Sequence, residues 1–308
     1  MWARKFSTCL ITAVVLFSRT ADATDVSLDA ESVFKDCSDC PEMVVIPPGT
    51  YDMGYDGGIA EDRYDGPVHP VVLDYAFALG RYEITTAQFR KFVGETGHET
   101  ASDCRVWAGE GMRNTPGLSW RNPGYARPPL DNEPVACITW PDARAYVDWL
   151  TTKTGQPYRL PTEAEWEYVA HDRNAHTFAW GENPNDGCAY ASIYDQSGLN
   201  RLRPTTPVNC DDGFAMASPV GSFPPNSYGI YDIIGNVWEW VEDCYVAPYA
   251  DQPDDGSAYM LEGGCTVRSV RGGCWSTQIQ RLRPTFRGRD DETLITQVFG
   301  IRVVRDLR

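Results

Sequence analysis

The segment Tyr231-Asp-Ile-Ile-Gly-Asn-Val-Trp-Glu239 sets two carboxylates, Asp232 and Glu239, on either side of a glycine-bearing turn. Carboxylates with convergent backbone carbonyls form the mixed oxygen set that a hard cation such as Ca²⁺ takes. The plainer reading is a capped turn packed by Trp238 and Trp240. Sulfur is the second chemistry. The chain holds ten cysteines, and with Cys9 set aside in an N-terminal apolar run nine remain, an odd number. Cys37 with Cys40, Cys188 with Cys210 and Cys244 with Cys265 are local pairs, and Cys104 with Cys137 makes the fourth, although spacing alone does not fix connectivity. Cys37 and Cys40 also read as half of a zinc site, but no second pair or His-x-x-His follows. Cys274 is left over, either a reactive thiol or single metal ligand, or a small buried side chain. The four histidines, His69, His98, His171 and His176, lack ligand spacing. No Gly-x-Ser-x-Gly elbow or phosphate-binding loop occurs.

These residues need elements to position them. Residues 42–54 read as strand, proline-glycine turn and strand, a hairpin signal. A further apolar run over 68–79 leads into Thr85-Thr-Ala-Gln88, a capping box, with Phe89, Phe92 and Val93 following at helical spacing. Residues 95–134 show no period and read as a long ordered loop, a kind that is often functional in compact domains. A short strand is expected at 135–138. A second helix then starts from Thr139, with Asp142 three residues on and Ala145, Tyr146, Trp149 and Leu150 on one face. A third starts from Thr162-Glu-Ala-Glu165 and carries Trp166 and Val169. Beyond residue 172 only short β-type segments are expected, so the fold class is α+β with few helices. The ten tryptophans read as core and loop packing rather than as a ligand cage.

Five of these segments fall in a telling order: Met43-Val-Val-Ile-Pro-Pro-Gly-Thr-Tyr-Asp-Met-Gly54, Pro134-Val-Ala-Cys-Ile-Thr-Trp140, Arg159-Leu-Pro-Thr-Glu-Ala-Glu-Trp-Glu-Tyr168, Asn226-Ser-Tyr-Gly-Ile-Tyr-Asp-Ile-Ile-Gly-Asn-Val-Trp-Glu-Trp240 and Val270-Arg-Gly-Gly-Cys-Trp275. In order and spacing they resemble the successive signature blocks of the formylglycine-generating enzymes, or sulfatase-modifying factors. The resemblance implies one loop-rich, C-type-lectin-like domain over 42–308 with short antiparallel strands. In that family the 231–239 segment holds calcium, which implicates the side chains of Asp232 and Glu239 and the carbonyls of Gly235 and Val237. A second family calcium site matches Ser192, Ile193, Asp212 and Phe214. Serine stands there for the family's asparagine, and the lost oxygen predicts a weak or empty site.

The family's oxygen-using members carry two cysteines after Gly-Gly-Ser that bind Cu(I), a role suited to soft thiolates. Here the stretch is Gly272-Gly-Cys-Trp-Ser-Thr-Gln-Ile-Gln-Arg-Leu-Arg283. Thr277 takes the first cysteine position, and the shortened loop offers no second. Cys274 replaces the serine, Arg287 matches a family active-site arginine, and Val298 replaces an asparagine ahead of Gly300-Ile-Arg302. Cys274, Thr277 and Arg287 are therefore the pocket candidates, joined by Arg281 and Arg283. Structural calcium is expected and copper is not.

The remaining expectations come from composition. Two positive charges, an apolar run and Ala21-Asp-Ala23 predict a signal peptide over 1–23, then a tail over 24–41 stapled by Cys37–Cys40. Export to a bacterial periplasm or the medium follows, where disulfides persist. A lipid anchor on Cys9 lacks its preceding motif. No run reaches the roughly 20 residues that span a bilayer. The net charge of −16 argues against nucleic acid and anionic membranes. A monomer acting on a protein, peptide or small molecule is expected. Family relatives without the cysteine pair include a periplasmic protein needed for oxidative maturation of a siderophore fluorophore, so the resemblance makes an oxidoreductase-like maturation or tailoring factor the leading expectation. The alternatives are a calcium-stabilised, non-catalytic ligand-binding module and, third, true formylglycine generation on sulfatases.

Overall fold

The computed structural model describes residue 1 and residues 30–57, 65–107, 111–125, 127–172, 176–197, 207–249 and 251–307. Apart from Met1, the expected signal segment and the first residues of the tail lie outside them. In chain order the elements of the first half are β1 (Val33–Phe34), β2 (Met43–Ile46), β3 (Gly49–Met53), β4 (His69–Leu73), β5 (Phe77–Gly80), α1 (Thr86–Thr96), β6 (Arg105–Trp107) and β7 (Met112–Asn114). The second half supplies α2 (Trp140–Thr154), β8 (Tyr158–Arg159), α3 (Glu163–Ala170), β9 (Trp238–Cys244), β10 (Val267–Arg271), β11 (Gly288–Asp291), β12 (Phe299–Ile301) and β13 (Val304–Asp306).

Among the described residues the three α-helices all begin on capping boxes. Thr85, Thr139 and Thr162 each accept a bond from the third helical N–H, while Gln88, Asp142 and Glu165 reach back to the cap N–H. These pairs satisfy donors that a helix start leaves orphaned. α1 and α2 then end on left-handed glycines, Gly97 and Gly155, the conformation glycine adopts without Cβ strain. α1 buries Phe89, Phe92 and Val93, and α2 buries Tyr146, Val147 and Leu150 while Ala145 and Trp149 stay half-buried. Each fully buried side chain of this size contributes about 1.5–3 kcal/mol.

A five-stranded sheet runs β1-β2-β5-β13-β8, a four-stranded sheet runs β11-β10-β9-β12, and β3-β4 and β6-β7 form two separate ribbons. The pairings are antiparallel except β9 with β12, which is parallel. Strands β2 and β3 do not form the hairpin expected over 42–54. After Pro47 and Pro48 the chain changes sheet: β2 pairs with β1 and β5, whereas β3 pairs with β4. Burial explains the split, since every residue of β2 is buried while β3 alternates and suits a surface ribbon. Nor does 135–138 form a strand. Its side chains are buried, but Cys137 has φ 59°, a left-handed turn that breaks extended pairing, and its N–H donates to Thr296 O instead. Trp120, Trp166 and Trp240 are fully buried, so much of the tryptophan content packs the core.

Candidate functional site

Between β9, β10, the start of β11 and the β6-β7 ribbon lies a cavity of about 270 Å³. Its floor comes from the turn after β10. Gly272 and Gly273 have φ 94° and 78°; a Cβ on Gly272 would lie 3.2 Å from the Trp166 ring, and one on Gly273 only 2.3 Å from Leu282 Cδ2. Only glycine fits both constraints. The turn therefore presents Cys274, 2% exposed, with Ser276 and Thr277 beside it. Cys274 Sγ lies 3.3 Å from Ser276 Oγ and 3.2 Å from Thr277 Oγ1, and Thr277 Oγ1 also accepts from the Cys274 N–H at 2.9 Å. Trp275 N–H donates to Asn236 O at 2.9 Å, tying this turn to the carboxylate segment.

Trp238, Val270, Val298 and Phe299 add an apolar wall, and Arg105, Arg281 and Arg289 line the cavity with a single carboxylate, Asp290. Of the expected pocket residues, Cys274, Thr277, Val298 and Arg281 meet here. Arg287 does not. It is fully buried against Glu163, at 2.9 Å from Nε to Oε1 and 2.6 Å from Nη2 to Oε2, donates to Val246 O and stacks on Tyr249. A buried guanidinium needs such a partner, and Glu163 claims it. Arg283 likewise pairs with Asp65. Sequence reasoning missed Arg105 and Met112, which the β6-β7 ribbon inside the aperiodic loop brings to the cavity. The one available signal was the loop's length.

Cys104–Cys137 anchors that ribbon, and Cys37–Cys40, Cys188–Cys210 and Cys244–Cys265 are the other disulfides. Among the described residues Cys274 is the free cysteine.

The carboxylate segment is buried deeper. Asp232 Oδ2 accepts from Gly221 N–H at 2.6 Å, whereas its Oδ1 is buried with no partner. Glu239 is spanned by Arg302, with Nε at 2.9 and 3.1 Å and Nη2 at 2.7 Å, and also accepts from Trp166 Nε1 at 2.8 Å. Glu83, which sequence reasoning overlooked, accepts from Asn236 Nδ2 and Val237 N–H. Burial, then the charges of its carboxylate neighbours Asp232 and Glu239, holds Glu83 well above the usual carboxylate range. Burial likewise pushes Asp232 up to about 6. Three buried carboxylates facing one buried guanidinium, with an orphaned Asp232 oxygen, fit a cation in this place. Glu239 is the least available ligand, because Arg302 and Trp166 already use its oxygens.

Where the resemblance implied a second calcium site, Asp212 accepts from the Ile193 and Phe214 N–H groups at 2.8 and 2.7 Å, and Ser192 Oγ donates to Met216 O. Two carboxylates that sequence reasoning left out join it: oxygens of Asp195, Asp211 and Asp212 lie within 4.8 Å of one another. Asp195 in turn accepts the Asp212 and Ser197 N–H groups.

A family description, "Sulfatase-modifying factor enzyme 1-like domain", matches residues 29–307. The formylglycine-generating enzyme of Bos taurus is 30% identical over 301 residues, covering 86% of this chain and 75% of that protein. The "Inactive C-alpha-formylglycine-generating enzyme 2" of the same species is also 30% identical, over 261 residues and 76% of each chain. Among solved structures, PvdO from Pseudomonas aeruginosa superposes with a TM-score of 0.74 at 34% identity, covering 91% of this chain and 99% of that one. The few helices and short strands are those of this C-type-lectin-like fold. A relative named as the enzyme and one named inactive share the same identity with this chain, so the site and not the identity has to separate them.

Proposed function

The chain belongs to the sulfatase-modifying factor family, and from that premise we propose that it is an exported factor of the oxidative maturation or tailoring kind that does not use the family's two-cysteine copper chemistry. One observation carries this: the cavity floor holds a single thiol, Cys274, whose close side-chain neighbours are the Ser276 and Thr277 hydroxyls, while the other cysteines of the described residues are tied in four disulfides. A Cu(I) site built from two thiolates lacks its second ligand. The disulfides support export to an oxidising compartment, and among the described residues no helix is long and apolar enough to cross a membrane. Calcium is proposed as a structural ion at Asp232, with the Gly235 and Val237 carbonyls and Glu83 or Glu239 beside it. The substrate is a protein, peptide or small molecule that reaches the cavity, and the acting unit is a monomer.

A second reading, a non-catalytic ligand-binding module, is favoured by one feature. The residues lining the cavity include a single carboxylate and no histidine, so no side-chain pair there is set up to relay a proton.

The test is incubation of the purified protein with copper, O₂ and a Cys-x-Pro-x-Arg peptide. The expected result is no conversion of the peptide cysteine to formylglycine, and a clear aldehyde product overturns the proposal. Mass spectrometry of a periplasmic extract incubated with native or heat-denatured protein then separates the two readings. Products lacking two hydrogen atoms that accumulate only with native protein and only with O₂ present, which takes up the two electrons and two protons as H₂O₂, support oxidation, and bound but unchanged ligand supports the module.

A further inference from the structure

We infer that the cavity above Cys274 selects a ligand carrying a carboxylate-type anionic group next to a flat apolar portion. This rests on the reading of that cavity as the working site and names the class of molecule it takes. The argument starts from a contrast of charge. The chain carries 27 Lys and Arg against 43 Asp and Glu, yet the cavity lining holds three arginines and one aspartate. In a strongly acidic protein a cationic cavity is a local choice, and it draws anions that the net charge of the chain would otherwise disfavour.

The arginines are also held in place by their backbones. Arg105 N–H donates to Ile295 O at 2.8 Å, and its carbonyl accepts from Gln297 N–H at 3.1 Å and Thr296 Oγ1 at 3.0 Å. Arg289 lies in β11, opposite Ser269 of β10, and Arg281 closes a short 3₁₀ turn at Ile279–Arg281. Arg105 and Arg281 are exposed, Arg289 and Asp290 are half-buried, and Cys274 and Thr277 are buried. Charge therefore stands at the mouth, with a thiol and hydroxyl floor beneath it. Guanidinium groups prefer a planar two-oxygen anion. Trp238, Val270, Leu294 and Phe299 line the same space and offer an apolar surface. About 270 Å³ is at the small end of small-molecule sites, enough for roughly one ring with its substituents.

Benzoate, benzamide and benzylamine share one ring and differ in charge, so they serve as probes, with binding followed by ligand-observed NMR at low ionic strength. Benzoate is expected to bind about tenfold more tightly than benzamide, with benzylamine weakest, and added salt should narrow the gap. Arg105→Gln combined with Arg281→Gln should remove most of that preference and leave benzamide binding as it was. Val298→Trp, or Leu294→Trp if the first does not fold, fills the cavity and should abolish all binding. Equal or tighter binding of benzamide or benzylamine that Val298→Trp removes would overturn the anion preference while leaving the cavity as the site. Benzoate binding that survives the tryptophan variants would place the anion elsewhere and sink the cavity reading itself. No binding of any probe would overturn the inference as well.

Discussion

Cys274 and Asp232 are both buried, but their surroundings ask different things of them. The thiol has two hydroxyls at hydrogen-bond distance, whereas one oxygen of Asp232 has no partner at all. Intact-mass labelling of unfolded, unreduced protein lacking residues 1–23 should count one free thiol, and native protein should label far more slowly, because Cys274 is 2% exposed. A count of zero or three would break the disulfide scheme. For the cation, Asp232→Ala should lower calcium content, and it should lower melting temperature more with calcium present than without, where only the bond from the Gly221 N–H is lost. Glu239→Ala should cost about 3–5 kcal/mol with or without calcium, because it strands Arg302 in the core. Equal calcium content in wild type and Asp232→Ala would remove the site. At this scale the family resemblance, not the residues alone, pointed to Cys274 and Thr277, and both line the cavity. It misplaced Arg287, because residue type does not reveal that Glu163, 124 positions away, closes on it.

Among the elements, the three helices were readable because a capping box and a 3.6-residue period are local facts. Strand partnership is not local. The residues of β2 and β3 read as strands, yet nothing in Pro47-Pro48-Gly49 says that the two join different sheets. The β6-β7 ribbon was unreadable for a related reason: a disulfide and backbone bonds to residues 295–297 hold it, in place of any periodic pattern. Opening that tether with Cys104→Ala and Cys137→Ala should destabilise the protein by roughly 3–4 kcal/mol, the chain-entropy value for a loop of this length. Urea unfolding checks this, and a loss below about 1 kcal/mol would mean that the ribbon's other bonds suffice to hold it.

Across the whole molecule, buried acids make stability depend on pH. Burial, then the charge of Glu163, pushes Asp243 up to about 8. Its folded value lies above its unfolded one near 4, so between those values the folded state holds the extra proton. Stability contributed by that proton is present below about pH 4 and is lost as pH rises toward 8, by at most about 1.4 kcal/mol per unit. Asp243→Asn should flatten the fall in melting temperature between pH 5 and 8, and an unchanged slope would remove Asp243 as its source.

The last strand has a consequence in time. β13 lies between β5 and β8, with Val304 opposite Leu79 on one side and Arg159 on the other. A ribosome that has released everything up to residue 303 has still not delivered the piece that joins those two edges. The earlier strands must wait, with open edges of the kind that invite wrong pairing. A chain stopped or trimmed after residue 303 should therefore be insoluble, even though every residue lining the cavity has been made.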